Sequence, residues 1–246
     1  MPSLKYKKVE KIGQSTIYLA DCMDLMPFFS VLDPFDCIVT DPPYKLTSGG
    51  VDTTCNKRMS GKFDNKKYDN SGNIVECNID WKDFMPLLFK ALKDPGHAYV
   101  MCNNRHVNNN LNAAKDSGFH FHNLLVWDKG TATANSWYMK NVEFTAFYSK
   151  GKAFAINDCG SKSLIYAPNI INADHPTEKP VELMQHYIEN STQQGDIVLD
   201  PFMGSGATGV AAVRSGRRFV GIEMDEDYFN LACERLHKAT EQGSLF

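Results

Sequence analysis

No stretch of this 246-residue chain stays apolar long enough to cross a bilayer, which argues against a transmembrane helix. The charged N-terminus, "MPSLKYKKVEK", has no apolar segment behind it, so no signal peptide is expected. None of the seven cysteines forms a C-x-x-C pair, and seven is odd. That usage fits reduced thiols in a cytoplasmic protein and disfavours zinc or a disulfide framework, so no metal is expected. The chain also lacks a surplus of positive charge: 26 basic residues face 29 acidic ones, for a net charge of −3. A wholly basic nucleic-acid binder is excluded, and contact with a polyanion would have to come from a local patch. Internal repeats are missing too. What is present is a 43% hydrophobic, 11% aromatic chain, long enough for one large domain or two small ones.

Short apolar runs alternate with helical patterns. Residues 15–20, 36–40, 97–102, 123–127, 143–149, 196–200 and 218–223 read as strands, several apolar on both faces as in a covered parallel sheet. Helical patterns fall near 80–93, 106–117, 180–192, 206–215 and 226–239. In the last, Phe229, Ala232, Cys233 and Leu236 share one face. The alternation predicts one α/β domain over 1–246, with about seven mostly parallel strands and helices on both faces. Three stretches break the rhythm: 45–79, rich in Gly, Ser, Asn, Asp and Lys, then 128–141 and 150–176. Connections that long inside a compact domain are usually functional or disordered.

Two stretches carry chemistry. In "DCIVTDPPY" a buried strand runs into Asp41-Pro42-Pro43-Tyr44. Two prolines fix two φ angles and push the preceding residues out of the helical region. The result is a stiff exit bearing one carboxylate and one ring. Without other motifs it could equally be a strand-ending turn with a buried tyrosine. In "DIVLDPFMGSGATG" a strand ends at Asp200, and Gly204, Gly206 and Gly209 follow in G-x-G-x-x-G spacing as a helix opens. Glu223 ends the next strand, 19 positions after Gly204, where an acid can accept bonds from ribose hydroxyls. Alone, this pattern fits a tight turn with a surface glutamate, or a dinucleotide oxidoreductase. Asp200 speaks against the latter, because a pyrophosphate at the helix N-terminus disfavours a carboxylate beside it. A cationic nucleoside cofactor such as S-adenosylmethionine, with a sulfonium, an ammonium and no phosphate, suits the carboxylate better.

Taken together, "DPPY" (41–44), "HPTEKP" (175–180) and "DPFMGSGATG" (200–209) resemble the β-group amino DNA methyltransferases, with the catalytic motif ahead of the cofactor motif. "YLADCMDLM" (18–26) is similar to the family's early Gly-Asp-Cys segment, with Ala20 in place of the usual glycine, and "LLVWDKG" and "EFTAFYSKG" resemble its later core strands. Val142-Glu143 stands where the family often has His-Glu. The resemblance implies a Rossmann-like S-adenosylmethionine-dependent domain that methylates adenine N6 in double-stranded DNA and releases S-adenosylhomocysteine. Cytosine N4 is the alternative, and an RNA or protein-glutamine methyltransferase, a silent DNA-binding subunit and an NAD-dependent oxidoreductase are further ones.

It implies catalytic roles for Asp41, Pro42, Pro43 and Tyr44. Asp41 and the Pro42 carbonyl would accept the two amine hydrogens, and Tyr44 would stack on the flipped base. Asp200, Phe202, Gly204, Ser205 and Gly206 would wrap the methionine part, Lys179 would reach its carboxylate, and Glu223 would take the ribose. Asp21 and Cys22 would meet the adenine ring, although Asp21 also reads as a helix N-cap. With no long segment before "HPTEKP" to read the target, that task is expected of 45–79 and 128–141. Lys57, Arg58, Lys62, Lys66 and Lys67, and Lys129 and Lys140, are then candidate phosphate contacts. A chain this small is expected to pair as a homodimer, and a cognate restriction endonuclease is a possible partner. The pair His120 and His122 reads as strand residues.

Overall fold

The computed structural model describes residues 5–32, 34–43, 79–133, 138–168 and 178–243. Tyr44, the 45–78 stretch with its five candidate cations, and the first three residues of "HPTEKP" lie outside them.

Nine strands, among the described residues, form one sheet: β1 (Lys8–Ile12), β2 (Ser15–Leu19), β3 (Phe35–Thr40), β4 (Leu92–Cys102), β5 (His120–Thr133), β6 (Lys140–Lys150), β7 (Leu164–Tyr166), β8 (Ile197–Asp200) and β9 (Arg218–Glu223). Their order across the sheet is β1-β2-β9-β8-β3-β4-β6-β5-β7. Five of the eight pairings are parallel. The expected count of about seven is therefore corrected to nine. Both additions are edge strands, and edges need no apolar run. β1, "KVEKI", carries three charges in five residues, and β7 has only three residues.

Among the described residues, six helices cover the faces: α1 (Cys22–Leu32), α2 (Trp81–Ala91), α3 (Val107–Ser117), α4 (Val181–Ser191), α5 (Ala207–Arg214) and α6 (Glu226–Gly243). Strand alternation sorts the core into two layers. Ile38 and Leu199 face Leu25, Phe84, Met85 and Ala114 of α1–α3. Cys37, Val39 and Val198 face Leu183, Tyr187, Val210 and Phe229 of α4–α6. Successive strand side chains point to opposite faces, so both faces are buried along each central strand.

The stretch 128–141 was expected to be irregular, but its described residues belong mainly to strands: β5 continues through Thr133 and β6 opens at Lys140, with Thr133 opposite Lys140 after a register shift between Asp128 and Thr133. Gly130, Thr131 and Ala132 carry no apolar alternation that would mark the strand in the sequence.

The chain reverses its direction of travel between β8 and β3. From β3 it moves through α2 to β4 on one side, and from β8 through α5 to β9 on the other. Such a switch point opens a crevice beyond the carboxyl ends of the two strands, where ligands of open α/β sheets bind. Asp41 directly follows β3 and Asp200 ends β8.

Candidate active site

Asp200 ties the switch point together. It is 3% exposed, and its carboxylate accepts from the Thr40 hydroxyl (2.7 Å), the Thr208 hydroxyl (2.7 Å) and the Phe202 backbone N–H (3.1 Å). One buried group thus joins β3, the glycine loop and α5. Burial pushes its pKa up to about 6, against the pull of those three donors. With these donors on both oxygens, Asp200 shapes the loop from beneath.

The glycine loop meets its conformational requirement at Gly206. This residue caps α5 at φ +80°, and a Cβ there would lie 3.0 Å from the Ala232 Cβ of α6. Only glycine allows both the left-handed turn and the close approach. Ser205 is buried, and its hydroxyl and carbonyl both accept from Arg235 of α6 (2.9 and 3.1 Å). Arg235 in turn pairs with Glu178 at 2.7 Å. Arg235 and Glu178 thereby fasten the loop to the segment preceding α4, a link with no signal in the sequence. Phe202 packs edge-to-face on Phe84, centroids 5.4 Å apart.

Glu223 closes the far side of the loop. One carboxylate oxygen accepts from Gly204 N–H (2.9 Å), and the other from the N–H groups of Met224 and Asp225 (2.8 Å each). Burial raises its pKa against these bonds. Asp21 follows β2 at the same edge and accepts from Met23 N–H at 2.8 Å, so it does N-cap α1. Cys22 is buried in the core beneath that turn. The edge therefore presents Asp21 and Glu223 around a glycine turn, with Asp200 buried beneath it. This set suits a cation and a ribose and is ill suited to a pyrophosphate.

Asp41 forms the second half of the site. Its Oδ2 meets the Lys179 ammonium at 2.5 Å. Lys179 also lies 3.5 Å from Glu143, and Glu143 pairs closely with Lys129. β6 runs antiparallel to β4, which brings Glu143, near its start, to the carboxyl edge of the sheet. The hairpin partner β5 brings Lys129. Lys129 is thus committed to Glu143 and lies 5.2 Å from the centre of the Trp127 ring, which corrects its assignment as a free phosphate contact. Lys140 remains exposed on the hairpin.

Lys179, expected at the cofactor's carboxylate, is only 8% exposed and lies on Asp41. Burial alone would lower its pKa, but Asp41 and Glu143 hold it well above the ordinary lysine value. Burial likewise acts to raise Glu143, yet the two lysines hold it below its ordinary range. For Asp41 burial wins: its pKa is raised, opposed by Lys179 and reinforced by Glu143. Asp41 Oδ1 is buried and has no hydrogen-bond partner among the described residues. An orphaned acceptor at the mouth of a switch-point crevice is unusual, because buried polar atoms are normally paired. Pro42 is buried and Pro43 exposed. The described residues contain no cluster of three or more metal-ligating side chains, and His122 instead bonds Ser149 at 2.9 Å.

A strand exit with a carboxylate oxygen unpaired among the described residues, beside a glycine loop flanked by acids, has the chemistry to receive an amine and a cationic nucleoside. Comparison with known proteins gives the class. A family model described as DNA methylase matches residues 35–234, and the chain belongs to that family. It is a DNA methyltransferase. The chain is 28% identical over 246 residues to the Type II methyltransferase M2.MboI of Moraxella bovis, covering 91% of this chain and 88% of the relative. It is also 28% identical over 240 residues to M2.DpnII of Streptococcus pneumoniae, covering 89% of each. The crystal structure of an M1.HpyAVI–SAM complex matches with a TM-score of 0.66 at 25% identity, over 90% of this chain and 99% of that one. PvuII DNA methyltransferase, named cytosine-N4-specific, shares the fold at a TM-score of 0.66 and 17% identity, over 98% of this chain and 95% of that one.

Proposed function

We propose that this chain methylates the N6 amine of an adenine flipped out of double-stranded DNA, with S-adenosylmethionine as donor. The observation that carries the reading is Asp41 Oδ1, a buried acceptor with no partner among the described residues, at the switch point beside the glycine loop. An exocyclic amine is a weak nucleophile because its lone pair is delocalised into the ring. Asp41 Oδ1 accepts one of its hydrogens, and the carbonyl of Pro42 accepts the other. Held at both hydrogens, the nitrogen pyramidalises and aims its lone pair. Preorganised acceptors that face developing positive charge are an effective form of catalysis. S-adenosylmethionine, when bound, supplies an electrophilic methyl on a sulfonium.

On the protein's side, transfer is a matter of positioning, with no covalent enzyme intermediate. Gly204, Ser205 and Gly206 line the methionine part, with Phe202 at its flank and Asp200 fixing the turn below. Glu223 takes the ribose hydroxyls, and Asp21, with the turn at Cys22, meets the adenine ring. Tyr44 stacks on the flipped base.

Adenine is favoured over cytosine by aspartate in the first position of the tetrad. Two relatives are named as Type II methyltransferases, and on that likeness this chain serves as the modification partner of a restriction endonuclease. A homodimer is proposed from the small size: light scattering that returns one 27.6 kDa chain at working concentration counts against it. Lys140, with the five cations of 57–67, is proposed to meet phosphates. Incubating the protein with duplex DNA and labelled S-adenosylmethionine tests the function, and label retained in N6-methyladenine is the expected result.

A further inference from the structure

The proposed chemistry uses one oxygen of Asp41. The other oxygen is held at one end of a buried line of charges. Two carboxylates and two ammonium groups, from four separate segments, are linked in one line: Asp41 to Lys179, Lys179 to Glu143, Glu143 to Lys129. None of the four side chains is more than 22% exposed. Burying four charges is costly unless their arrangement is put to use, and replacement by apolar residues is often neutral or stabilising.

Resting on the function proposed above, we infer that Lys179 is a positioning residue for Asp41. It grips Oδ2, opposes the upward push of burial on the carboxylate pKa, and turns Oδ1 toward the incoming amine. Glu143 and Lys129 hold Lys179 from behind. The geometry fits: Lys179 sits just ahead of α4, which packs against the β3 side of the sheet, and its 2.5 Å contact fixes one carboxylate oxygen and leaves its twin open. An ammonium on Oδ2 alone would weaken Asp41 as an acceptor. Glu143 shares that charge, and the line of four is neutral overall.

Among the described residues, the titratable groups that face this line are Cys102 from β4, Asp200 from β8 and Tyr187 from α4. Burial and neighbouring charge raise the pKa of both Cys102 and Tyr187, so neither ionises near neutral pH. Asp41 raises the pKa of Asp200 by repulsion, and substitution at 143 or 179 leaves Asp200 itself in place.

The sign of each perturbation follows. Lys179 lowers the pKa of Asp41 and Glu143 raises it. Lys179→Met therefore moves Asp41 titration upward, and Glu143→Gln moves it downward. The test follows Asp41 by carbon-13 carboxyl resonances of labelled protein without substrate. Alongside it, single-turnover methyl transfer to duplex DNA is measured from pH 5 to pH 9, and S-adenosylmethionine affinity by calorimetry. In Lys179→Met the Asp41 titration and the acid limb of the rate profile should rise together by about one pH unit or more. Transfer at pH 7 should fall about tenfold or more and partly recover at pH 9, with cofactor Kd changed less than about threefold. Lys179→Arg should restore the wild-type limb.

An unmoved Asp41 titration would overturn the inference. So would a cofactor Kd raised more than about tenfold with an unmoved limb, which would place Lys179 on the methionine carboxylate. If Lys179→Met fails to fold, Glu143→Gln carries the test with the opposite sign, and an upward or absent shift there refutes it. A wild-type protein inert on DNA would defeat the proposed function, while the Asp41 titration would still decide the role of Lys179.

Discussion

Gly206 and Gly195 offer a matched pair for separating the two demands on the glycine loop. Both are in the left-handed region, at φ +80° and +86°. An alanine Cβ at Gly195 meets nothing within 4 Å, whereas at Gly206 it lies 3.0 Å from Ala232 Cβ, 3.1 Å from Leu236 Cδ1 and 3.2 Å from Ala232 Cα. The backbone cost of a left-handed alanine, about 1–2 kcal/mol, is common to both. At Gly206 the contact with α6 adds to it. The Ala232 Cα is backbone and cannot retreat without moving the helix, so overpacking adds about 1–3 kcal/mol. Gly195→Ala should therefore lose about 1–2 kcal/mol and Gly206→Ala about 2–5 kcal/mol in urea unfolding. At about 2–4 °C per kcal/mol for a chain of this size, their melting temperatures should separate by several degrees. Calorimetry should show weakened S-adenosylmethionine binding in Gly206→Ala and unchanged binding in Gly195→Ala. Equal stability losses in the two variants would refute the argument that close approach to α6 is what requires glycine at 206.

Other expectations follow from the same geometry. Asp41→Ala should abolish methyl transfer and spare cofactor binding; parallel loss of both, by activity and calorimetry, would contradict the division of roles. Asp200 titrates near 6 in the folded protein against an ordinary 3.8, so the folded state binds that proton more tightly. Stability relative to Asp200→Asn should thus rise as pH falls through 6 and level off below about 4, a gain of about 3 kcal/mol in urea titrations across that range. A flat difference would argue against a buried, charged Asp200. Glu223→Gln turns an amide donor toward backbone N–H groups the carboxylate now satisfies. It should cost about 1–3 kcal/mol in unfolding measurements and weaken cofactor binding, and an unaffected Kd would remove Glu223 from the cofactor site.

The central strands were legible because burial on both faces writes short, unmixed apolar runs: 218–223 matches β9 residue for residue. β1 and β7 were not, since one face of an edge strand meets solvent and its residues can be charged or few. α1 was visible only through its cap, Asp21, because its apolar residues crowd most of its circumference and Pro27 interrupts them. The glycine loop and Asp41 were legible because their chemistry is local in sequence. The partners of Asp41 were not. Lys179 meets it from just ahead of α4, and Glu143 and Lys129 stand behind Lys179 because β6 runs antiparallel to β4 and β5 to β6. The motif points Lys179 at the cofactor, whereas its neighbours in the fold are carboxylates of the protein itself.

The central claim is methyl transfer to an adenine amine in DNA. Nucleosides from mixed-sequence duplex DNA, incubated with the protein and S-adenosylmethionine, should contain N6-methyladenine by mass spectrometry, and Asp41→Ala should remove it. N4-methylcytosine in its place would contradict the choice of base, and no methylated base, with cofactor still bound, would contradict the claim itself.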